Sequence, residues 1–98
     1  MNINFELYKI FYEVANSGSI SGGAKTLMIS SPAVTQAIHN LESELGGKLF
    51  IRTPKGVVLT SEGRELFLFF RKVVKILKIV FIIFMFKMMR DIIILRIE

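Results

Sequence analysis

The chain has 98 residues, enough for one small domain around one core and too few for two ordinary domains. It has no Cys and a single His, His39, which excludes a disulfide framework and a thiolate metal site and leaves little material for a zinc centre or a His-based triad, so no enzyme activity, metal or cofactor is expected. The net charge of +5 is unevenly placed, −2 over residues 1–45 and +7 over residues 46–98, a balance that favours a polyanionic partner, either nucleic acid or an anionic membrane surface.

Residues 1–17 lack a basic start followed by an apolar block, so no signal peptide is expected and a cytoplasmic location follows by default. Asn4 suits a helix N-cap, and Leu7, Ile10, Phe11 and Val14 repeat as a helix burying one face requires, to about Ser17. Gly18 stops this helix and Ser19 caps the next, a short one over about residues 20–28 with Ile20, Ala24 and Leu27 facing inward. Gly22 and Gly23 inside it cost about 1 kcal/mol each relative to Ala, and close helix–helix approach is the expected compensation.

Met28, Ile29 and Ser30 form a turn. A third helix then runs from Ser31 to Leu45, with Ser30 or Ser31 as its cap, Pro32 in its first turn, and Gly46 and Gly47 at its end. Val34, Ile38, Leu41 and Leu45 make one apolar stripe along it. The opposite face carries Ser31, Thr35, Gln36, His39, Asn40 and Ser43, short hydrogen-bonding side chains where an idle solvated face usually carries Lys and Glu. Two helices joined by so short a turn, the second presenting small polar groups, make a helix-turn-helix over about residues 19–38.

Residues 49–52 and 56–60 read as two short strands, with Thr53, Pro54, Lys55 and Gly56 supplying the turn, so a wing is expected over about residues 49–60. Lys48, Arg52 and Lys55 place positive charge on or near it. Thr60 or Ser61 caps a long final helix over residues 61–98, with Glu62 in its first turn. Along that helix Leu66, Phe70, Val73, Leu77, Val80 and Phe84 alternate in steps of four and three, the seam of a helix that pairs with a like helix. Ile79 to Phe86 is wholly apolar and Ile92 to Leu95 is apolar again. An eight-residue run is too short to span a bilayer, which takes roughly 20 apolar residues. The tail after about Lys78 reads either as a surface buried by another copy of the chain or as the product of a truncated or altered gene.

These positions also carry a family resemblance. Leu7, Phe11, Val14, Ala15, Gly18, Ser19, Ile20 and Ser21, then Ala24, Leu27 and Ser30 to Thr35, then Ile38, Leu41, Glu42, Leu45, Gly46, Leu49, Phe50 and Arg52, and finally Val58, Leu59, Thr60 and Gly63, resemble the N-terminal domain of LysR-type transcriptional regulators. The resemblance covers roughly the first two thirds of the chain. It implies a mainly α fold: a winged helix-turn-helix of three helices and a two-stranded wing in residues 1–60, followed by a long C-terminal linker and dimerisation helix. In that family the long helix leads into an effector-sensing domain, for which the chain up to Glu98 leaves no room. The implied function is sequence-specific binding of double-stranded DNA.

A recognition helix enters the major groove with its first turns, occupied here by Ser31, Pro32, Thr35 and Gln36, and the resemblance puts the base-reading residues on the same four. Gln36, which can bond adenine N6 and N7 together, departs from the basic residue that many members carry there. Ser19, Ser21, His39, Asn40, Arg52 and Lys55 are expected to face the DNA backbone. The expected partners are duplex DNA, a second copy through the seam and, as a variant, full-length relatives in mixed dimers. Any membrane role belongs to a competing reading, in which the C-terminal helix drives assembly or membrane association and the DNA-binding domain is a relic.

Overall fold

The computed structural model describes residues 3–97. Its elements are α1 (Phe5–Ser17), α2 (Ile20–Leu27), α3 (Ser31–Leu45), β1 (Phe50–Thr53), β2 (Gly56–Leu59) and α4 (Ser61–Ile97). This is the mainly helical, winged helix-turn-helix architecture that the sequence implies. By compactness the chain divides after Phe67, so the first two turns of α4 belong with the winged domain.

Local chemistry sets each boundary in the first unit. The Asn4 side chain accepts from the Glu6 amide at 3.1 Å and starts α1. Gly18, at φ 75°, ends it in the left-handed conformation that a Cβ would strain. Ser19 Oγ accepts from the Gly22 amide at 2.9 Å and starts α2. That helix closes at Leu27, one residue earlier than its apolar spacing suggests, because Met28 itself turns to φ 60° as the C-cap. Ser30 is the cap of α3, accepting from the Ala33 amide at 3.2 Å. Pro32 occupies its first turn, where a missing N–H removes no helical bond.

The core is built where α1, α2 and α3 meet. Phe11, Val14, Val34 and Leu41 are its largest fully enclosed side chains, each stabilising the fold by about 1.5–3 kcal/mol relative to exposure. Gly23 is what lets α2 approach α1: a Cβ there would lie 2.7 Å from Val14 Cγ2. Gly22 has a different cause. A Cβ on it would press on the Ser19 cap hydroxyl at 2.7 Å and on Ser17 Cβ at 3.0 Å, so it serves the cap and the α1–α2 turn rather than a helix crossing.

One expectation about α3 changes. Leu45 is 44% exposed, since the helix runs past the core in its last turn. Its place on the inner face is taken by Ala37 and, unexpectedly, by Glu42, which is only 8% exposed. The Glu42 carboxylate accepts from the Leu49 amide at 2.7 Å through Oε2, while Oε1 lies 3.8 Å from Lys48 Nζ. This bond ties the entry of the wing to the recognition helix.

The wing is an antiparallel pair, β1 on β2, with Phe50 opposite Leu59 and Thr53 opposite Gly56, so Pro54 and Lys55 form the turn. Leu49 and Thr60 fall just outside the ladder: the Thr60 amide donates to the Leu49 carbonyl at 3.0 Å. Thr60 also caps α4, its hydroxyl oxygen accepting from the Gly63 amide at 3.0 Å and its proton going to the Lys48 carbonyl at 2.6 Å. Phe50 packs its ring 5.2 Å from that of Phe11, and Phe67 stacks on Tyr12 at 5.4 Å.

Within the first unit, Leu66 is half-buried against the domain's own core. In the second unit α4 continues as a single helix. Phe70, Val73 and Val74 are half-buried there, and residues 75–97 are all exposed, including Leu77, Val80 and Phe84 of the expected seam. No helix among the described residues is long and apolar enough to cross a membrane.

Candidate nucleic-acid interface

The short α2–α3 turn sets the first turns of α3 beside the start of α2, and the wing closes the third side. Ser19 from the cap of α2, Ile20 and Ser21 from α2 itself, Ser31, Pro32, Thr35 and Gln36 from α3, and Arg52, Thr53, Pro54, Gly56 and Val57 from the wing line one open groove. All four expected base-reading residues therefore share a concave surface with Ser19, Ser21 and Arg52. Ser31, Pro32 and Gln36 are exposed, and Thr35 is half-buried. Arg52 is the one charged residue in that lining, which holds no carboxylate.

His39 and Asn40 are exposed on α3 one turn further along and do not line this groove. His39 instead borders a neighbouring cleft against β1, shared with Lys48, Glu42 and Arg52. Lys55 sits exposed at the tip of the hairpin, outside the groove. Ser19 has two parts to play. Its oxygen is occupied by the Gly22 amide as a cap, and its hydroxyl proton remains available as a donor at the groove wall.

The wing is held against the α1–α2 turn and the start of α4 by backbone contacts that the sequence did not reveal. The Val57 amide donates to the Gly18 carbonyl at 3.0 Å, so the α1–α2 turn grips β2. Gly56, at φ 140°, sits so close that a Cβ would collide with the same carbonyl oxygen. Gly63 packs equally tightly on the Leu49 carbonyl at the other end of the ladder. A further contact lies on the exposed face itself: Gln36 Nε2 donates to Asn40 Oδ1 at 2.9 Å.

The arrangement can insert one helix end into a duplex groove while a basic ribbon lies alongside. Residues 5–64 match the family described as bacterial regulatory helix-turn-helix protein, lysR family. The chain belongs to that family. Among LysR-family relatives, it is 38% identical over 73 residues to the RuBisCO operon transcriptional regulator of Allochromatium vinosum, covering 74% of this chain and 24% of that one. It is 42% identical over 67 residues to the HTH-type transcriptional regulator CzcR of Bacillus anthracis, covering 68% and 23%. The chain thus spans about a quarter of the length of the curated relatives it matches.

Solved LysR-family structures agree in fold. The CbnR DNA-binding domain in complex with DNA superposes with a TM-score of 0.69 at 30% identity, covering 78% of this chain and 87% of that one. The BenM DNA-binding domain on its catB site 1 DNA gives 0.72 at 27%, covering 80% and 87%.

Proposed function

We propose that this LysR-family chain binds double-stranded DNA sequence-specifically as a transcriptional regulator, inserting the first turns of α3 into the major groove. One observation carries the reading: Ser31, Pro32, Thr35 and Gln36 line a single open groove with the wing residue Arg52 and no carboxylate. The DNA-bound state of similar domains supports it.

In this reading Gln36 accepts from adenine N6–H and donates to N7, a contact that discriminates by about 1–3 kcal/mol per base pair. Ser31 and Thr35 hydrogen-bond base edges, and Pro32 or the Thr35 methyl meets a thymine methyl. Arg52 and Lys55 hold phosphates and add affinity without reading sequence. Ser19, Ser21, His39 and Asn40 face the sugar-phosphate backbone on either side. The protein performs no catalysis and works on the bacterial chromosome in the cytoplasm.

One helix-turn-helix buries too little surface for tight specific binding, so the functional unit is a dimer on a roughly palindromic site with half-sites about one helical turn apart. Leu66, Phe70, Val73, Leu77, Val80 and Phe84 form the seam between copies, Leu66 also packing against the core of its own domain. Full-length relatives that share the seam would form mixed dimers.

The Gln36→Ala variant tests the base-reading claim. It is expected to bind non-specific duplex as the wild type does and to lose preference at one base position. A parallel fall in specific and non-specific affinity would show that Gln36 does not read a base.

A further inference from the structure

Gln36 and Asn40 stand one turn apart on the exposed face of α3, joined by the 2.9 Å bond from Gln36 Nε2 to Asn40 Oδ1. We propose that Asn40 is a positioning residue, fixing the Gln36 amide in the orientation that reads a base and so setting sequence discrimination through Gln36. The inference rests on the base-reading role given to Gln36 above.

The chemistry of a primary amide explains how one bond does this. The amide oxygen and one N–H lie side by side, and this edge matches adenine N6–H and N7. The second hydrogen points back toward the side chain's own stem. An acceptor one turn further along the helix takes that hydrogen and leaves the reading edge clear, and residues four apart are the ones that meet on a helix surface.

Two effects on discrimination follow. A pinned amide loses less rotamer freedom when it meets adenine, and that gain is realised only with the matching base. Pinning also acts against guanine, which presents two acceptors, O6 and N7, in the same place. A freely turning amide can offer its NH2 group to both; one held by Asn40 offers a donor and an acceptor, and the acceptor is then opposed to O6. Attraction to one base and repulsion from the other combine, as specificity generally requires.

The test uses the full chain. A preferred duplex is selected from a randomised pool, and the ratio of its Kd to that of duplexes altered at one base pair is measured for the wild type, Gln36→Ala, Asn40→Ala and Asn40→Asp. Gln36→Ala is expected to abolish the ratio at one position. Asn40→Ala should lower the same ratio about two- to fivefold, on top of the uniform weakening that loss of its own backbone contact brings to every duplex. Asn40→Asp keeps the acceptor and adds a negative charge near phosphate, so the ratio survives while every duplex binds more weakly. An Asn40→Ala variant that keeps the ratio Gln36→Ala loses, or that weakens all duplexes alike, overturns the positioning role and leaves the reading of Gln36 intact. A ratio unmoved by Gln36→Ala overturns the base-reading role itself, and the positioning role with it.

Discussion

Replacing Glu42 probes the contact that couples the recognition helix to the wing. Its carboxylate is buried and accepts from the Leu49 amide at 2.7 Å, and Leu49 is itself only 2% exposed. Glu42→Ala leaves that amide without a partner in a place water does not reach, at a cost of about 1–3 kcal/mol for the unsatisfied donor. Loss of the carboxylate's charge assistance adds to it, and the better helix propensity of Ala returns a few tenths. The pair with Lys48 contributes little, because the lysine side chain is 74% exposed and the separation is 3.8 Å. The expected net loss is about 2–3 kcal/mol. For a domain this small, with a urea m-value of about 1–1.5 kcal/mol/M, the unfolding midpoint should fall by about 1.5–3 M at unchanged slope. Glu42→Gln keeps a neutral acceptor and should lose about 1 kcal/mol, and Lys48→Ala should stay within about 0.5 kcal/mol of wild type. If Glu42→Ala and Lys48→Ala prove equally mild, the buried hydrogen bond does not hold the wing.

Gly63→Ala is expected to destabilise the fold by about 1–3 kcal/mol because its Cβ meets the Leu49 carbonyl, while Gly47→Ala, with open space around it, should be neutral or stabilising by up to about 1 kcal/mol; a urea series on both checks the contrast. The Glu62 carboxyl is held below its ordinary value of 4.5, chiefly by its own backbone N–H and next by the Ser61 hydroxyl. A group lowered in the folded state stabilises above its unfolded pKa and loses that contribution as pH falls through the folded one. The stability difference between wild type and Glu62→Gln should therefore be level at neutral pH and shrink below 4.5, as denaturation at several pH values would report. Leu77→Glu combined with Phe84→Glu alters only exposed positions, so the fold should persist by circular dichroism while sedimentation shows monomers and DNA affinity falls; an unchanged dimer mass would remove the seam from the account.

Much of this architecture is legible in the residues because it is made locally. Asn4, Ser19, Ser30 and Thr60 announce helix starts by reaching two or three residues along the chain, and Gly18 and Gly46 announce helix ends by their φ. The polar face of α3 needs only a helical wheel. What periodicity did not reveal depends on partners distant in sequence. Gly56 packs on the carbonyl of Gly18, and Leu66 turns inward to a core made by α1 to α3, neither of which a local pattern encodes. Glu42 is an intermediate case: it lies four residues after Ile38 and beside Leu41, on the inner face, so its position was readable, while the amide it satisfies comes from a turn beyond the helix. The Gln36–Asn40 bond was equally within reach of a spacing argument, since the two residues are four apart on one exposed face.

The central claim, that the first turns of α3 and the wing dock on duplex DNA, is tested most directly by equilibrium binding of the full chain across a salt series. Arg52 and Lys55 from two subunits neutralise four phosphates in this account, so log K should fall linearly with log salt at a slope on the order of −4 or steeper. Arg52→Ala and Lys55→Ala should each make that slope shallower by about 2 in the dimer. An affinity for duplex that does not weaken as salt rises, or a slope indifferent to both substitutions, would contradict it.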